Sequence, residues 1–178
     1  MGTIVDLAAA RQAKMAARAF ARWESRVGHR PSAEAKLSDL PDRTLGVLAE
    51  LKEPAVLALY DLVLGVRDWG RGEDLAFLAA QQKMEALDAY LFLADQVRFE
   101  TMRRLGWVEG VAAEKHSLLD LATHPTDIQA RDQPLPPRLL PAHHRYQELE
   151  PRLRLEPEAA IRSLIPEALA VFLRKVGE

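Results

Sequence analysis

Three groups of side chains in this chain have types and spacings that chemistry could use. His116-x3-Asp120-x3-His124 steps two imidazoles and a carboxylate along one helical face at i,i+4, a spacing that suits a divalent ion. Helical rise limits the idea, because the three would spread over roughly 12 Å at 1.5 Å per residue. Bonds of about 2.1 Å cannot gather all three onto one ion. An adjacent pair alone could chelate, and no Glu-x-x-His pair stands elsewhere to complete a carboxylate-bridged site. His124 also precedes Pro125, where helical backbone is disfavoured. No metal and no cofactor are expected.

The second group is acidic. Phe77, Gln81, Asp88, Phe92, Asp95 and Phe99 share a narrow arc of one long helical segment. Carboxylates among phenyl rings need partners, because an unpaired buried charge is costly. Arg98 on the adjacent face and Arg67 from the preceding helix are available. Asp61, Asp88, Asp95 and Arg98 are therefore the candidate polar network. They could act as general bases or metal ligands, but an internal ion-pair network or an exposed strip at the helix surface is the expected role.

The third group is a ladder. Lys14, Arg18, Arg22 and Arg26 recur every fourth residue, and Arg11 joins the same arc. Val5, Ala9, Ala16, Phe20, Trp23 and Val27 form the opposite apolar stripe. Residues 1–30 carry a net charge of +4 and the remaining 148 carry −6. Like charges at i,i+4 oppose the helix by about 0.2–0.5 kcal/mol per pair. They must face solvent, the acidic remainder of the same chain, or an anionic partner such as nucleic acid, a lipid surface or an acidic protein. The overall charge of −2 argues against a dedicated nucleic-acid protein. A weaker motif, Gln133-Pro134-Leu135-Pro136-Pro137-Arg138, resembles half of a polyproline ligand for SH3-type domains, with Gln133 where the pattern wants proline. Phosphate-binding Gly-rich loops, Ser-His-Asp arrangements and nucleophile elbows are not found.

The elements that must position these groups are helical. Ala and Leu supply 28 residues each, while Val and Ile together supply 15. Helices are expected over about 5–27, stopped by Gly28 and Pro31, then 41–51, 54–69, 73–105 and 109–122. Five prolines between 123 and 142 predict an extended strap. A short helix over 143–150 follows, with His143-His144 at its start. The last helix begins near Pro157 and must kink or restart at Pro166. The 54–69 and 73–105 segments are apolar on more than one side, which predicts central helices or helices covered by a partner.

The expected fold is thus an all-α, single-domain helical bundle of five to seven helices spanning 1–178, with 123–142 strapped across it. The chain has no cysteine, which fits a reducing compartment. Its Arg-rich, acid-poor opening also describes a transit peptide, but lacks the compact apolar region of a secretory signal. The expected setting is cytoplasmic. The expected function is non-enzymatic: a protein–protein interaction or regulatory module that self-associates as a homodimer. A nucleic-acid-associated protein using the basic helix face is the alternative, and a helical enzyme binding a metal or small molecule the third.

Overall fold

A computed structural model describes residues 6–131 and 137–178. It is all-α among those residues, apart from one pair of two-residue strands. Helix α1 (Leu7–Val27) opens on Asp6, whose carboxylate accepts from the Ala8 and Ala9 N–H groups at 3.1 and 3.2 Å. Gly28 ends it in the left-handed region at φ 76°, the expected stop. Its apolar stripe is buried from Ala16 to Val27. Trp23 Nε1 donates to the Ala58 carbonyl at 2.7 Å, which fixes α1 against the third helix. Val5 lies outside the described residues.

Helix α2 (Asp42–Glu50) starts directly after Pro41, and α3 (Glu53–Gly65) carries Pro54 in its first turn. Of the thirteen residues of α3, eight are buried, Asp61 among them. It packs against α1, α2 and helix α4 (Ala80–Arg104). Nearly all buried apolar side chains among the described residues form one contiguous cluster around these helices. No helix among the described residues is long and apolar enough to cross a membrane.

The expected helix over 73–105 is two elements. Gly72–Phe77 is a 3₁₀ turn, and α4 begins only at Ala80, after Leu78 and Ala79 turn extended. Side chains cause the break. Asp74 accepts from the Arg71 N–H at 2.8 Å, the Gly72 N–H is held by Asp61 at 2.7 Å, and Gln82 reaches back to the Ala79 N–H at 3.0 Å. The expected helix from 109 is also corrected. Gly106 and Gly110 both sit at φ 75°, so the chain turns at each. Between them β1 (Val108–Glu109) pairs antiparallel with β2 (Arg138–Leu139). A 3₁₀ turn over Ala112–Glu114 follows, and then α5 (Leu118–Thr123), capped by Ser117.

The stretch 123–142 is not extended throughout. Pro125 takes the first position of α6 (Pro125–Arg131), where a missing N–H costs nothing. Residues 132–136, and with them most of the polyproline motif, lie outside the described residues. Pro151 is accommodated within the first turns of α7 (Tyr146–Leu155). The final segment splits into α8 (Pro157–Arg162) and α9 (Ile165–Gly177), with Pro166 in the first turn of α9. These breaks raise the helix count among described residues to nine, against the five to seven expected.

The 3₁₀ turn lies hard against α3. A Cβ at Gly72 would stand 2.7 Å from the Leu57 carbonyl oxygen, backbone against backbone. Gly72→Ala is expected to lower stability by about 1–3 kcal/mol, as overpacked sites do. A urea midpoint unchanged from the parent would show that the turn is not held where the structure places it.

Candidate functional site

Asp61 is completely buried in the most apolar helix of the chain. An isolated carboxylate there would be severely destabilising. Helix α1 neutralises it. Arg26 donates from Nε to Oδ2 at 2.5 Å and from Nη2 to Oδ1 at 3.3 Å. The Gly72 N–H donates to Oδ1, and Arg22 Nε stands 3.5 Å from the same oxygen as a charge contact without a hydrogen bond. Arg26 continues to Glu73 at 2.7 Å. Burial works against the Arg26 charge, but its bonds to Glu73 and Asp61 outweigh this and raise its pKa. The Arg26 hydrogen bond holds the Glu73 carboxyl below its usual range.

The basic ladder is thereby divided. Arg22 and Arg26 face the chain's own acid, and Arg11 pairs with Asp68 at 3.0 Å on the surface. Lys14 and Arg18 are exposed and form no ion pair among the described residues.

The four candidate network residues do not share a site, since no hydrogen bond or ion pair links Asp61, Asp88, Asp95 and Arg98 to one another. Asp95 is gripped by both terminal nitrogens of Arg162 on α8, at 3.0 and 2.5 Å. Arg98 keeps a buried Nε without a hydrogen bond, and Asp88 is exposed. Arg67 pairs with Glu85 and donates to the Val63 and Ala122 carbonyls, which ties α3 to α5.

Sequence reasoning missed Glu100, which is wholly buried. It accepts twice from Arg103, at 2.8 Å each, and once from Arg104 at 3.0 Å. Arg104 also binds Asp42 and the Leu37 and Leu40 carbonyls. The signal was present as acid-to-base spacings of three and four on one helix.

The three possible ligands His116, Asp120 and His124 do not occupy one helical face. His116 precedes the cap of α5, and His124 leaves the helix at φ −125°. All three line a cavity of about 380 Å³ with Asp127, Ile128 and Arg131. Among the described residues no three such side chains are placed to hold one ion.

The face of α4 turned away from the core is apolar. Ala86, Ala89 and Leu93 are buried against the protein, while Met84, Leu87 and Leu91 on the opposite side are 62%, 42% and 51% exposed. Phe77, one heptad before Met84, is 86% exposed. Within α4, Ala80, Met84, Leu87 and Leu91 follow one another by four, three and four, the spacing of a coiled-coil seam, and Phe77 stands before the helix in the 3₁₀ turn. The seam ends where Ala94 is covered and Arg162 clasps Asp95. Lys83 flanks it on one side and Asp88 on the other, both exposed and without an ion pair among the described residues.

Compared with known proteins, the chain matches no family model, no curated protein and no solved structure, so functional argument rests on its own residues.

One buried imidazole makes the fold sensitive to acid. His143 packs edge-on against Trp107 at 4.5 Å and stacks on His144 at 4.3 Å. Its Nδ1 accepts from the Arg145 N–H, which leaves the proton of the neutral ring on a buried Nε2 that has no partner. Burial lowers its pKa, the charges of His144 and Arg145 add to this, and Glu167 opposes it. The unfolded chain therefore binds this proton at a higher pH than the folded chain. Stability is full above the unfolded value near ~6.5 and falls as pH drops through it toward the depressed folded value. Urea unfolding should show a loss between pH 7.5 and 5.5 that is smaller in His143→Phe. Equal losses in the two proteins would remove His143 as the cause.

Proposed function

We propose that this chain is a non-enzymatic helical interaction or regulatory module that pairs with a second copy of itself through α4. A cytoplasmic setting belongs to the same proposal and draws on the cysteine-free composition. The supporting observation is the apolar seam from Ala80 to Leu91 on the side of α4 that faces away from the core. A solvated helix is normally polar on that side. Fully burying a Leu, Met or Phe side chain is worth about 1.5–3 kcal/mol. Met84, Leu87 and Leu91 on each copy supply part of that burial against the roughly 4–15 kcal/mol cost of association. Dissociation in the micromolar range, on the order of −8 kcal/mol, is expected.

The charges beside the seam favour a second copy running parallel. In a parallel pair opposite flanks meet, so Lys83 of one copy faces Asp88 of the other, twice by symmetry. In an antiparallel pair like flanks meet, and Asp88 would face the acid-lined side of its neighbour. The nucleic-acid alternative has less support, because Arg11, Arg22 and Arg26 already face acids of the same chain.

Sedimentation across micromolar concentrations should show a reversible dimer that Leu87→Glu reduces to monomer. Lys83→Asp and Asp88→Lys should each weaken the dimer, and combining them should restore it. A monomer at every concentration, or a dimer indifferent to Leu87→Glu, would overturn the proposal.

A further inference from the structure

Between α1, the end of α3 and the loop leading to the 3₁₀ turn lies a cavity of about 150 Å³. Gly65, the last residue of α3, forms part of its wall. A Cβ on Gly65 would stand 3.4 Å from the Ala19 Cβ, 3.7 Å from the Met15 carbonyl oxygen and 4.0 Å from Arg22 Nη2, filling the floor. Three arginines line it, Arg18 and Arg22 one turn apart on α1 and Arg71 from the loop before the 3₁₀ turn, with one acidic residue, Asp68.

The positive charge there is only partly answered. Arg18 forms no ion pair among the described residues. Arg71 lowers the Glu73 pKa from a distance, but its side chain forms no ion pair among the described residues. Arg22 shares Asp61 with Arg26 and the Gly72 N–H, and its buried Nε makes no hydrogen bond. Asp68 lines the cavity and shares its charge with Arg11, 3.0 Å away. A concave wall of converging cations concentrates positive potential, and planar guanidinium forks match the oxygens of a phosphate group.

We propose that this cavity binds the phosphate group of a small phosphorylated ligand. The site is independent of pairing through α4. Its volume is below the roughly 300–1,000 Å³ of sites that enclose drug-sized molecules. It therefore takes the phosphate itself and leaves the rest of the ligand outside. Asp68 gives the site a preference. A singly protonated phosphate donates its P–OH to that carboxylate, whereas sulfate has no proton to donate and meets it as a like charge.

The test is calorimetric titration of the full chain with inorganic phosphate, then sulfate, at constant ionic strength near neutral pH. Saturable one-to-one phosphate binding is expected, with sulfate weaker by about tenfold or more. Arg18→Gln and Arg71→Gln should each weaken phosphate by about tenfold, because each removes a charge-assisted contact. Gly65→Ala keeps every charge and fills the floor, so it should weaken binding to a similar degree. The contacts it makes are ordinary, and an unchanged melting temperature would show that the fold survives. Vesicles containing phosphatidic acid identify the source. Binding to them that the same three variants abolish assigns the site to a lipid headgroup, and binding of free phosphate alone assigns it to a soluble phosphate compound. Absence of saturable phosphate binding, equal affinity for sulfate, or indifference to Gly65→Ala would overturn the proposal.

Discussion

The contact between Asp61 and α1 decides more of this structure than any other. A carboxylate with no solvent exposure, in a helix built mainly of Leu, Val and Ala, has to be met by cations and donors or it would expel the helix from the core. Arg26 and Arg22 meet it from α1, which sets the rotation and depth of that helix. Gly72 meets it from the following turn, which holds the 3₁₀ segment against α3 and prevents it from joining α4. Trp23 adds its indole hydrogen bond to the same helix pair. The basic face of α1, conspicuous as a possible docking surface, is for this reason half internal.

The same device recurs at the far end of α4. Glu100 is buried, and Arg103 and Arg104 answer it from the next turn. Arg104 then satisfies the Leu37 and Leu40 carbonyls and pairs with Asp42, so that one guanidinium joins α4 to the approach and start of α2. Arg67 does this between α3 and α5, and Arg162 between α8 and α4. Arginine forks suit such work because they hold several acceptors at once in fixed geometry. With so many charges turned inward or toward neighbouring elements, the outer face of α4 is left apolar between Ala80 and Leu91, and the cavity at Gly65 is left with Arg18 and Arg71, whose side chains form no ion pair among the described residues.

Local chemistry made much of this readable from the residues. The amphipathic pattern of α1, its glycine stop and the buried positions of Phe20 and Trp23 follow from periodicity. The apolar stripe Met84–Leu87–Leu91 was visible as a second side of α4 needing cover, though periodicity does not say whether the protein itself supplies it. What could not be read depends on contacts distant in sequence. Arg26 meets Asp61 thirty-five residues away, and nothing in either segment names the other. The break at Leu78–Ala79 comes from Asp61 and Gln82 competing for backbone donors in a stretch whose intrinsic preference is helical. Pro125 reads equally as a helix start or as extended chain, and a neighbouring cluster of prolines favoured the wrong choice.

A double-mutant cycle between Asp61 and Arg26 tests the central claim most directly. Asp61→Ala, Arg26→Ala and the combined variant would be compared with the parent by urea unfolding at neutral pH. Each single change strands a buried partner and should cost about 3–5 kcal/mol. The combined change should cost clearly less than the sum, with a coupling of about 1.5–3 kcal/mol. Additivity within about 0.5 kcal/mol, the behaviour of independent sites, would mean that Asp61 and α1 do not hold each other in place.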